Sequence, residues 1–367
     1  MAGANLWQLE QFQPPVLLGF VRNLLPDERY IGDMLLPPET IDDVEYEYIK
    51  GIRDTPVMAH IIGWDSESPM AGRPALGERV KGELPPIKRK SRMSEKEVIR
   101  RYMQPRRGSA DQQAALRKVY ADLARHVASI QATTEWLDLQ ALTEDTVVYD
   151  EDGVIIEFDY GVVPQQQITL GATAGSATNG TGATVAAYGP HWSDTANATP
   201  ISDLMILTRE IGQRGERPRR MLMSEKTFDY LLVNAQIKGW LFPADAPDRP
   251  LLPEEVLQLL TRYRLPQPIL YDVEVGKENA DGSVTMVRTM RENAVTLLPE
   301  RPVGKRLIGP TAESMALIGT PYAAQAPGIW GAVWGTDEPP QGWTKAAAVT
   351  FPTLPDVDKI GQMTVWA

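Results

Sequence analysis

The chain has 367 residues, of which 43% are hydrophobic and 23% are charged, and its formal net charge is −11. This length allows two or three domains, and the negative charge argues against a protein that coats nucleic acid over its whole surface. The absence of cysteine excludes disulfides, thiolate metal sites and a cysteine nucleophile. No run of 18 apolar residues predicts a transmembrane helix, and the first residues lack the pattern of a signal peptide.

Residues 1–54 are rich in apolar side chains but contain no long periodic element. Prolines interrupt the segment, so we predict a short helix at Pro15–Leu25 followed by extended chain. Residues 43–50 alternate in polarity, which is typical of a strand. An arm with this much apolar character, including Trp7 and Phe12, is expected to bind a partner surface.

Glycines and prolines interrupt every regular pattern in residues 55–107, although short alternating runs remain at Val57–Trp64 and Ile87–Val98. A disordered loop is one interpretation, because structureless segments beyond about 12–15 residues are usually functional or disordered. The apolar side chains of Trp64 and Leu76 instead favour a long two-stranded projection that packs on a neighbouring subunit.

The return strand of this projection is strongly basic, with Lys88, Arg89, Lys90, Arg92, Lys96, Arg100, Arg101, Arg106 and Arg107. A nucleic-acid contact is one hypothesis, but Tyr102 is the single aromatic residue among them that is available for base stacking. Charge runs are usually solvated or paired, so we favour ion pairs between subunits.

Ser109–Thr143 is predicted to form one long helix that begins with a capping box. Its apolar positions recur three, four and seven residues apart and mark one face; they are Leu116, Val119, Tyr120, Leu123, Val127, Ile130 and Leu137. The charged residues are expected mostly on the other side; they are Arg117, Lys118, Asp122, Arg125 and Asp138. At about 1.5 Å per residue the helix would be about 50 Å long, so it must cross a sheet or a neighbouring subunit.

Residues 146–158 predict a β-hairpin with an Asp-Gly turn. Residues 171–183 are small and lack the lysine of a phosphate-binding loop, so they predict a flexible loop. From Thr199 to Leu298 the pattern changes to alternating helices and strands, with Thr199 and Ser224 as predicted helix caps. Strands at Lys345–Phe351 and Gln362–Trp366 are predicted to return to the first part of the chain.

No group of residues in the sequence predicts chemistry. The three histidines, His60, His126 and His191, have no second histidine at metal-ligand spacing. No nucleophile elbow and no dinucleotide-binding pattern is present. We therefore expect no enzyme activity, no catalytic residue, no bound metal and no cofactor.

The order of these elements resembles the major capsid proteins of tailed bacteriophages, which have the Hong Kong 97-type fold, and is similar in particular to the family of the phage lambda major head protein. Asp33–Pro37 followed by Val44–Tyr48 resembles the N-terminal arm of that family. Ala71-Gly-Arg-Pro74 and Lys88–Ser94 resemble the two limbs of its extended loop. Phe351–Asp356 with Met363–Trp366 resembles its closing strands.

The resemblance implies an α+β fold with five parts: an N-terminal arm (1–54), an extended β loop (55–100), a peripheral domain with the spine helix (101–198), an axial α/β domain (199–335) and C-terminal strands that return to the core (336–367). It implies a virion protein that self-assembles through hexamers and pentamers into an icosahedral shell around double-stranded DNA. Assembly in the host cytoplasm follows from the same resemblance.

The resemblance also implies partners. No coiled coil precedes the arm, so scaffolding would come from a separate protein. Portal and decoration proteins and non-specifically packaged DNA are further expected partners, and a membrane is not. The candidate contacts between subunits are Trp7, Phe12, Trp64, Arg73, Leu76, Lys88, Arg89, Lys90 and Arg92.

Two other functions remain open at this stage. An encapsulin-like bacterial compartment would have the same fold and would bind cargo. A nucleic-acid-binding enzyme would use the basic segment, but the sequence offers it no catalytic residues.

Overall fold

The computed structural model describes residues 13–51, 77–93, 109–151, 154–214, 216–242, 249–279, 281–315, 328–337 and 340–367. The helices in these ranges are α1 (Pro14–Arg22), α2 (Gly32–Leu35), α3 (Ser109–Thr143), α4 (Pro200–Gly212), α5 (Glu225–Val233), α6 (Ala235–Leu241), α7 (Pro253–Arg262) and α8 (Ala312–Met315). The strands are β1 (Pro38–Thr40), β2 (Glu45–Lys50), β3 (Glu78–Glu83), β4 (Pro86–Met93), β5 (Thr146–Glu151), β6 (Val154–Asp159), β7 (Gln167–Thr169), β8 (Ala177–Asn179), β9 (Thr184–Val185), β10 (Arg220–Met223), β11 (Gln267–Leu270), β12 (Glu274–Glu278), β13 (Val284–Arg288), β14 (Ala294–Leu298), β15 (Lys305–Gly309), β16 (Trp330–Asp337), β17 (Pro340–Thr353) and β18 (Gly361–Thr364).

The first sheet is built around the long strand β17. Its described strands run in the order β1–β15–β17–β16, and β4 also pairs with β17. β4 and β16 occupy opposite edges of β17, because both pair with its residues 342–347. β15 pairs with residues 349–353, and β1 lies parallel to β15.

The position of β4 differs from the sequence prediction of a strand in a projecting loop. Residues 86–93 form an antiparallel ladder with β17 in the sheet of their own chain. The reason is burial: Met93 lies in the hydrophobic core beneath α3, and Ile87 packs against the same cluster. The alternating run that predicts the strand is correct up to Met93, and residues 94–98 lie outside the described part.

Helix α3 crosses this sheet, as its length predicts. Its first half packs against β16 and β17, and it buries Val119, Leu123, Val127 and Ile130 together with α1. The predicted apolar face is therefore confirmed for these residues and for Leu137. The predicted polar face is wrong at Asp138, which is 0% exposed because Arg306 of β15 provides a partner inside the protein.

The second half of α3 packs between the two main sheets. Leu139 and Leu142 of the helix share one hydrophobic cluster with Phe351 of the first sheet and with Leu222 and Leu298 of the second. Strands β17 and β18 follow one another in the chain but belong to different sheets. The C-terminal strands therefore join the two layers, as the sequence predicts for a returning tail.

The second sheet has seven described strands in the order β11–β10–β14–β18–β7–β8–β9. Helices α4, α5, α6 and α7 supply its hydrophobic core together with β10, β14 and β18. Ser224 caps α5 as predicted, by accepting a hydrogen bond from the Thr227 amide. Thr199 precedes α4 as predicted, but its side chain does not cap that helix and instead donates to Asp203.

The predicted loop at residues 171–183 is wrong in part, because Ala177–Asn179 forms strand β8. This strand pairs with both β7 and β9, and Ala177 is fully buried. Glycine is required beside this strand because a Cβ on Gly171 would lie 2.6 Å from the Ser176 carbonyl oxygen. Three further pairs of strands project from the layers: β2–β3, the predicted hairpin β5–β6, and β12–β13.

Candidate subunit-contact surface

The basic strand β4 divides its side chains between two faces. The ammonium group of Lys88 lies 3.3 Å from a carboxylate oxygen of Glu313, and Lys345 bonds the same carboxylate. These two cations hold the pKa of Glu313 below its usual value, although burial opposes them. Lys88 is therefore paired with an acid of its own chain, in contrast to the predicted pairing between subunits.

Lys90 lies against two tryptophans of the same sheet. Its Nζ is 3.7 Å from the ring centroid of Trp343 and 5.4 Å from that of Trp334. A cation over an aromatic face contributes about 0.5–1 kcal/mol at an exposed site. Arg92, two residues further along this face, is exposed. The sequence gives no sign of the two tryptophans, because they come from strands more than 240 residues away.

The other face of β4 is directed at α3. Arg89 donates to the Ser129 hydroxyl on α3 at 2.6 Å and to Glu278 of β12 at 2.7 Å. His126 of α3 lies within hydrogen-bond distance of the Ser91 hydroxyl, at 2.9 Å, and of the Thr344 hydroxyl. Burial lowers the pKa of His126, and the nearby Arg89 charge adds to that effect. The imidazole therefore serves as a polar link between α3, β4 and β17.

Glu135 of α3 connects this helix to the short N-terminal helix α2 by hydrogen bonds. Its carboxylate accepts hydrogen bonds from the Ile31 and Gly32 amides and, at 2.5 Å, from the Tyr271 hydroxyl. Gly32 is required by this approach, because a Cβ there would lie 2.5 Å from a Glu135 oxygen. One buried carboxylate thus joins the N-terminal segment, the long helix and the loop after β11.

Asp138 lies one turn after Glu135 and is bound by Arg306 at 2.8 Å. Arg306 also bonds Asp33 of α2. Burial raises the pKa of Asp138 to about 8; Arg306 opposes this shift, and the Glu135 and Asp33 charges support it. Asp33 is more than half exposed and carries the charge that balances Arg306, which allows Asp138 to keep its proton near neutral pH.

Large apolar side chains are exposed on the second layer. Trp240 of α6 and Tyr263 after α7 contact each other with ring centroids 5.0 Å apart, and both are more than a third exposed. Val233 and Leu252 on the same group of helices are more than half exposed. Exposed apolar patches of this kind mark interaction surfaces. The hairpin β5–β6 similarly exposes Ile155.

Of the nine candidate contact residues, Lys88, Arg89, Lys90 and Arg92 come together on β4. The other five lie outside the described residues, as does His60: Trp7, Phe12, Trp64, Arg73 and Leu76. Within the described ranges no group of histidine and carboxylate side chains is placed to hold a metal ion. No described helix is long and apolar enough to cross a membrane.

Sequence reasoning missed Glu135, Asp138 and Arg306. The sequence contains one weak indication of this network. Glu135 and Asp138 are three residues apart on the helix, on either side of Leu137, which belongs to the apolar face. Two acids beside the apolar face of a helix lie either at its solvent-exposed border or in a buried hydrogen-bond network. Which of the two applies depends on whether the fold supplies a buried cation. That cation, Arg306, lies 168 residues further along the chain.

A family model for phage major capsid protein E matches residues 15–360. The chain belongs to this family of phage capsid proteins. A search of curated proteins found no match. The family is structural, in agreement with the absence of a catalytic constellation from the sequence. It also decides between the two shells considered above, in favour of the phage capsid over the bacterial compartment.

Solved structures support the same fold. The structure matches a candidate prophage capsid protein of E. coli CFT073 with a TM-score of 0.58 at 15% identity, covering 96% of this chain and 98% of that chain. It matches a phage-related protein of Bordetella bronchiseptica RB50 with a TM-score of 0.52 at 10% identity, covering 95% of this chain and 96% of that chain. At these identities the likeness concerns the fold, which is the Hong Kong 97-type capsid fold.

Proposed function

We propose that this capsid protein forms hexamers and pentamers that close into an icosahedral shell around double-stranded DNA, and that it has no enzymatic role. The family match over residues 15–360 carries the proposal. The structure supports it through exposed apolar side chains on α6 and at the two ends of α7. Such surface is stabilised when copies pack against each other.

We infer the parts of the subunit from sheet membership. The second layer, with α4–α7 around the sheet that contains β10, β14 and β18, corresponds to the axial domain, and its Trp240–Tyr263 patch would face other copies at the capsomer centre. The first layer with α3 corresponds to the peripheral domain. These assignments differ from the bounds 101–198 and 199–335 that the resemblance implies, because β7–β9 pair in the second sheet and β15 and β16 pair in the first. Residues 13–40 belong to the N-terminal arm. Strand β2, which the resemblance places in that arm, pairs with β3, and we assign the β2–β3 ladder to the base of the extended loop.

Other partners follow from a shell role. Separate scaffolding and portal proteins, a decoration protein and packaged DNA are the expected ones, with assembly in the host cytoplasm. Lys88 and Arg89 already have acidic partners within the chain, so β4 contributes less free charge to a neighbour or to DNA than its sequence indicates. Arg92 is exposed and has no ion pair or aromatic contact within the described ranges, so it is our preferred contact between subunits.

Electron microscopy of the purified protein tests the proposal directly. We expect sixfold and fivefold rings or closed shells, because neighbouring subunits bury the exposed apolar side chains. A monodisperse monomer at high protein concentration and at every salt concentration would overturn it.

The role of the extended loop in assembly can be tested with a deletion whose end points are chosen from the β2–β3 ladder. Lys50 and Glu78 are paired at the end of the β2–β3 ladder, and the next residues, Gly51 and Gly77, have φ angles of 70° and 68°. Excising residues 52–76 therefore leaves a Gly-Gly turn with the two positive φ angles that a type I′ hairpin needs. Deleting Pro69–Pro85 instead would remove β3 itself.

We expect the variant without residues 52–76 to fold and to form no closed shell. Circular dichroism and thermal unfolding report the fold, and electron microscopy reports assembly. A matched control shortens the β12–β13 connection by removing Ala280, and it should still assemble. Closed shells from the variant without residues 52–76 would show that this segment is not the arm between subunits.

A further inference from the structure

An open groove of about 800 Å³ lies between β1, β2 and β15, where β17 ends. Its lining is strongly acidic, with six carboxylates against the cations Arg301 and Lys305. The acids are Glu39, Asp42, Asp43, Glu45, Glu47 and Asp356. Nothing in the architecture of the two layers requires so much negative charge at one place.

Half of these carboxylates are already paired. Glu39 binds Lys305 at 2.8 Å, Glu47 binds Lys81 and Arg79, and Asp356 binds Lys359. Asp42, Asp43 and Glu45 are exposed at the rim, and no ion pair within the described ranges joins them to a cation. The rim therefore attracts a positively charged partner.

The floor of the groove is apolar and well packed. Tyr46 and Val303 are buried, and Ile41, Tyr48 and Leu307 are partly buried beneath the rim. A groove of this volume with an apolar floor and a charged rim has the character of a binding site for an extended peptide. The occupant should combine several basic side chains with a few apolar ones.

One segment of this chain has that composition. Residues 96–107 read Lys-Glu-Val-Ile-Arg-Arg-Tyr-Met-Gln-Pro-Arg-Arg, with five basic residues, one acid, and Val98, Ile99, Tyr102 and Met103 as apolar residues. They lie outside the described part of the structure and connect β4 to α3. Their charge and apolar content complement the rim and the floor.

Within one subunit this segment could touch the groove only through fully extended backbone and side chains, which favours an occupant from a second copy. Its nearest end is Asp43, which lies beside Gly309, and Gly309 pairs with Val349. Pro86 also pairs with Val349, so Met93 at the other end of β4 is about 23 Å away at ~3.3 Å per residue. Met93 is where the basic segment begins.

The other end of the segment is further away still. α3 runs along β17, because His126 contacts Thr344 and Asp138 contacts Arg306, which pairs with Pro352. Ser109 therefore lies about 26 Å beyond Thr344, and Thr344 is about 17 Å from Val349. A path from Met93 to the groove and on to Ser109 measures about 65 Å, whereas the sixteen intervening links extend to about 55 Å at most.

We propose that the acidic groove between β1, β2 and β15 receives the basic segment 96–107 of a second copy of this chain. The proposal rests on the proposed shell function and specifies one contact within it. The unpaired rim acids Asp42, Asp43 and Glu45 bind the arginines of the segment, and the tyrosine floor accepts its apolar side chains. The opposite charges also orient the incoming copy before contact.

The chain has no cysteine, so an engineered disulfide reports this contact without background. Asp42→Cys and Arg101→Cys are made in separate copies, which are co-expressed, assembled and mildly oxidised. We expect a dimer band of twice 40.7 kDa on a non-reducing gel. Each single variant alone, and Asp281→Cys on the β12–β13 turn together with Arg101→Cys, should stay monomeric on that gel.

The outcomes separate this contact from the shell function. Shells with the specific dimer band support both. Shells without the band overturn the groove proposal and leave the shell function standing; the groove then holds another occupant such as residues 52–76. A single chain that carries both Asp42→Cys and Arg101→Cys and closes the disulfide within itself also overturns the proposal, because the groove then holds the segment of its own copy. If the protein forms neither rings nor shells and the gel shows no dimer band, both the groove contact and the shell function are overturned.

A charge exchange provides an independent measurement. Asp42→Lys with Asp43→Lys should reduce the yield of shells at least tenfold, because it places like charges at the rim. Adding Arg100→Asp and Arg101→Asp should restore most of that yield, since the attraction returns with opposite signs. If the fourfold variant assembles no better than the double variant, the contact does not exist.

Discussion

Asp138 offers the sharpest test of the buried network, through the pH dependence of stability. Its carboxyl is fully buried and its pKa is raised from 3.8 to about 8, chiefly by burial. In the unfolded chain the same group releases its proton near pH 4. Between these two values the folded state binds one more proton than the unfolded state, so the free energy of unfolding falls as pH rises.

The magnitude follows from linkage. One pKa unit corresponds to about 1.36 kcal/mol, so Asp138 should lower the stability of the wild type by about 4 kcal/mol between pH 5 and pH 8. Asp138→Asn imitates the protonated acid and removes this dependence. We expect the variant to be within about 1 kcal/mol of the wild type at pH 5 and more stable than it at pH 8.

Thermal unfolding of both proteins at pH 5, 6, 7 and 8, in the same assembly state, measures the difference. The lowered pKa of His126 acts in the opposite direction, because its stabilisation is lost as pH falls below about 6.5. His126 is present in both proteins, so its effect cancels. Asp229→Asn at an exposed position of α5 is the matched control and should change the free energy of unfolding by less than about 0.5 kcal/mol at every pH. If Asp138→Asn is less stable than the wild type by the same free energy of unfolding from pH 5 to pH 8, Asp138 is ionised and paired throughout, and the reasoning is refuted.

Three further substitutions test the packing. Gly32→Ala should lower the free energy of unfolding by about 1–3 kcal/mol because the added methyl group displaces the Glu135 carboxylate. Gly19→Ala on the exposed side of α1 is the control and should raise it by about 0.5–1 kcal/mol. Equal effects in thermal unfolding would contradict the close approach of Gly32 to Glu135. Leu123→Ala should cost about 2–5 kcal/mol, since its side chain is fully buried between α3 and β16, and a loss below 1 kcal/mol would show that this interface is loose. Lys90→Ala should cost about 0.5–1 kcal/mol and shift the tryptophan emission, with Arg92→Ala as the control; unchanged emission would exclude the contact with Trp343.

Much of the local structure could be predicted because its causes are local. The spacing of Val119, Leu123, Val127 and Ile130 determines a helix and the side that it buries, whatever that side meets. The alternation at residues 45–50 and the Asp-Gly pair in the sequence before β6 likewise act within a few residues. The family itself was evident from the order of such elements along the chain.

The tertiary structure decided what pairs with what. β4 has the composition of an exposed basic strand, yet it lies in the core sheet because β17, some 250 residues later, provides its hydrogen-bond partners. Asp138 has the helical position of a polar residue, yet it is buried because Arg306 and Asp33 neutralise its surroundings. The acidic groove likewise collects residues 37–48, 301–307 and 353–356, and no periodicity reveals it. The physical reason is the same in each case: periodicity depends on neighbours in sequence, whereas charge burial and strand pairing depend on groups that only folding brings together.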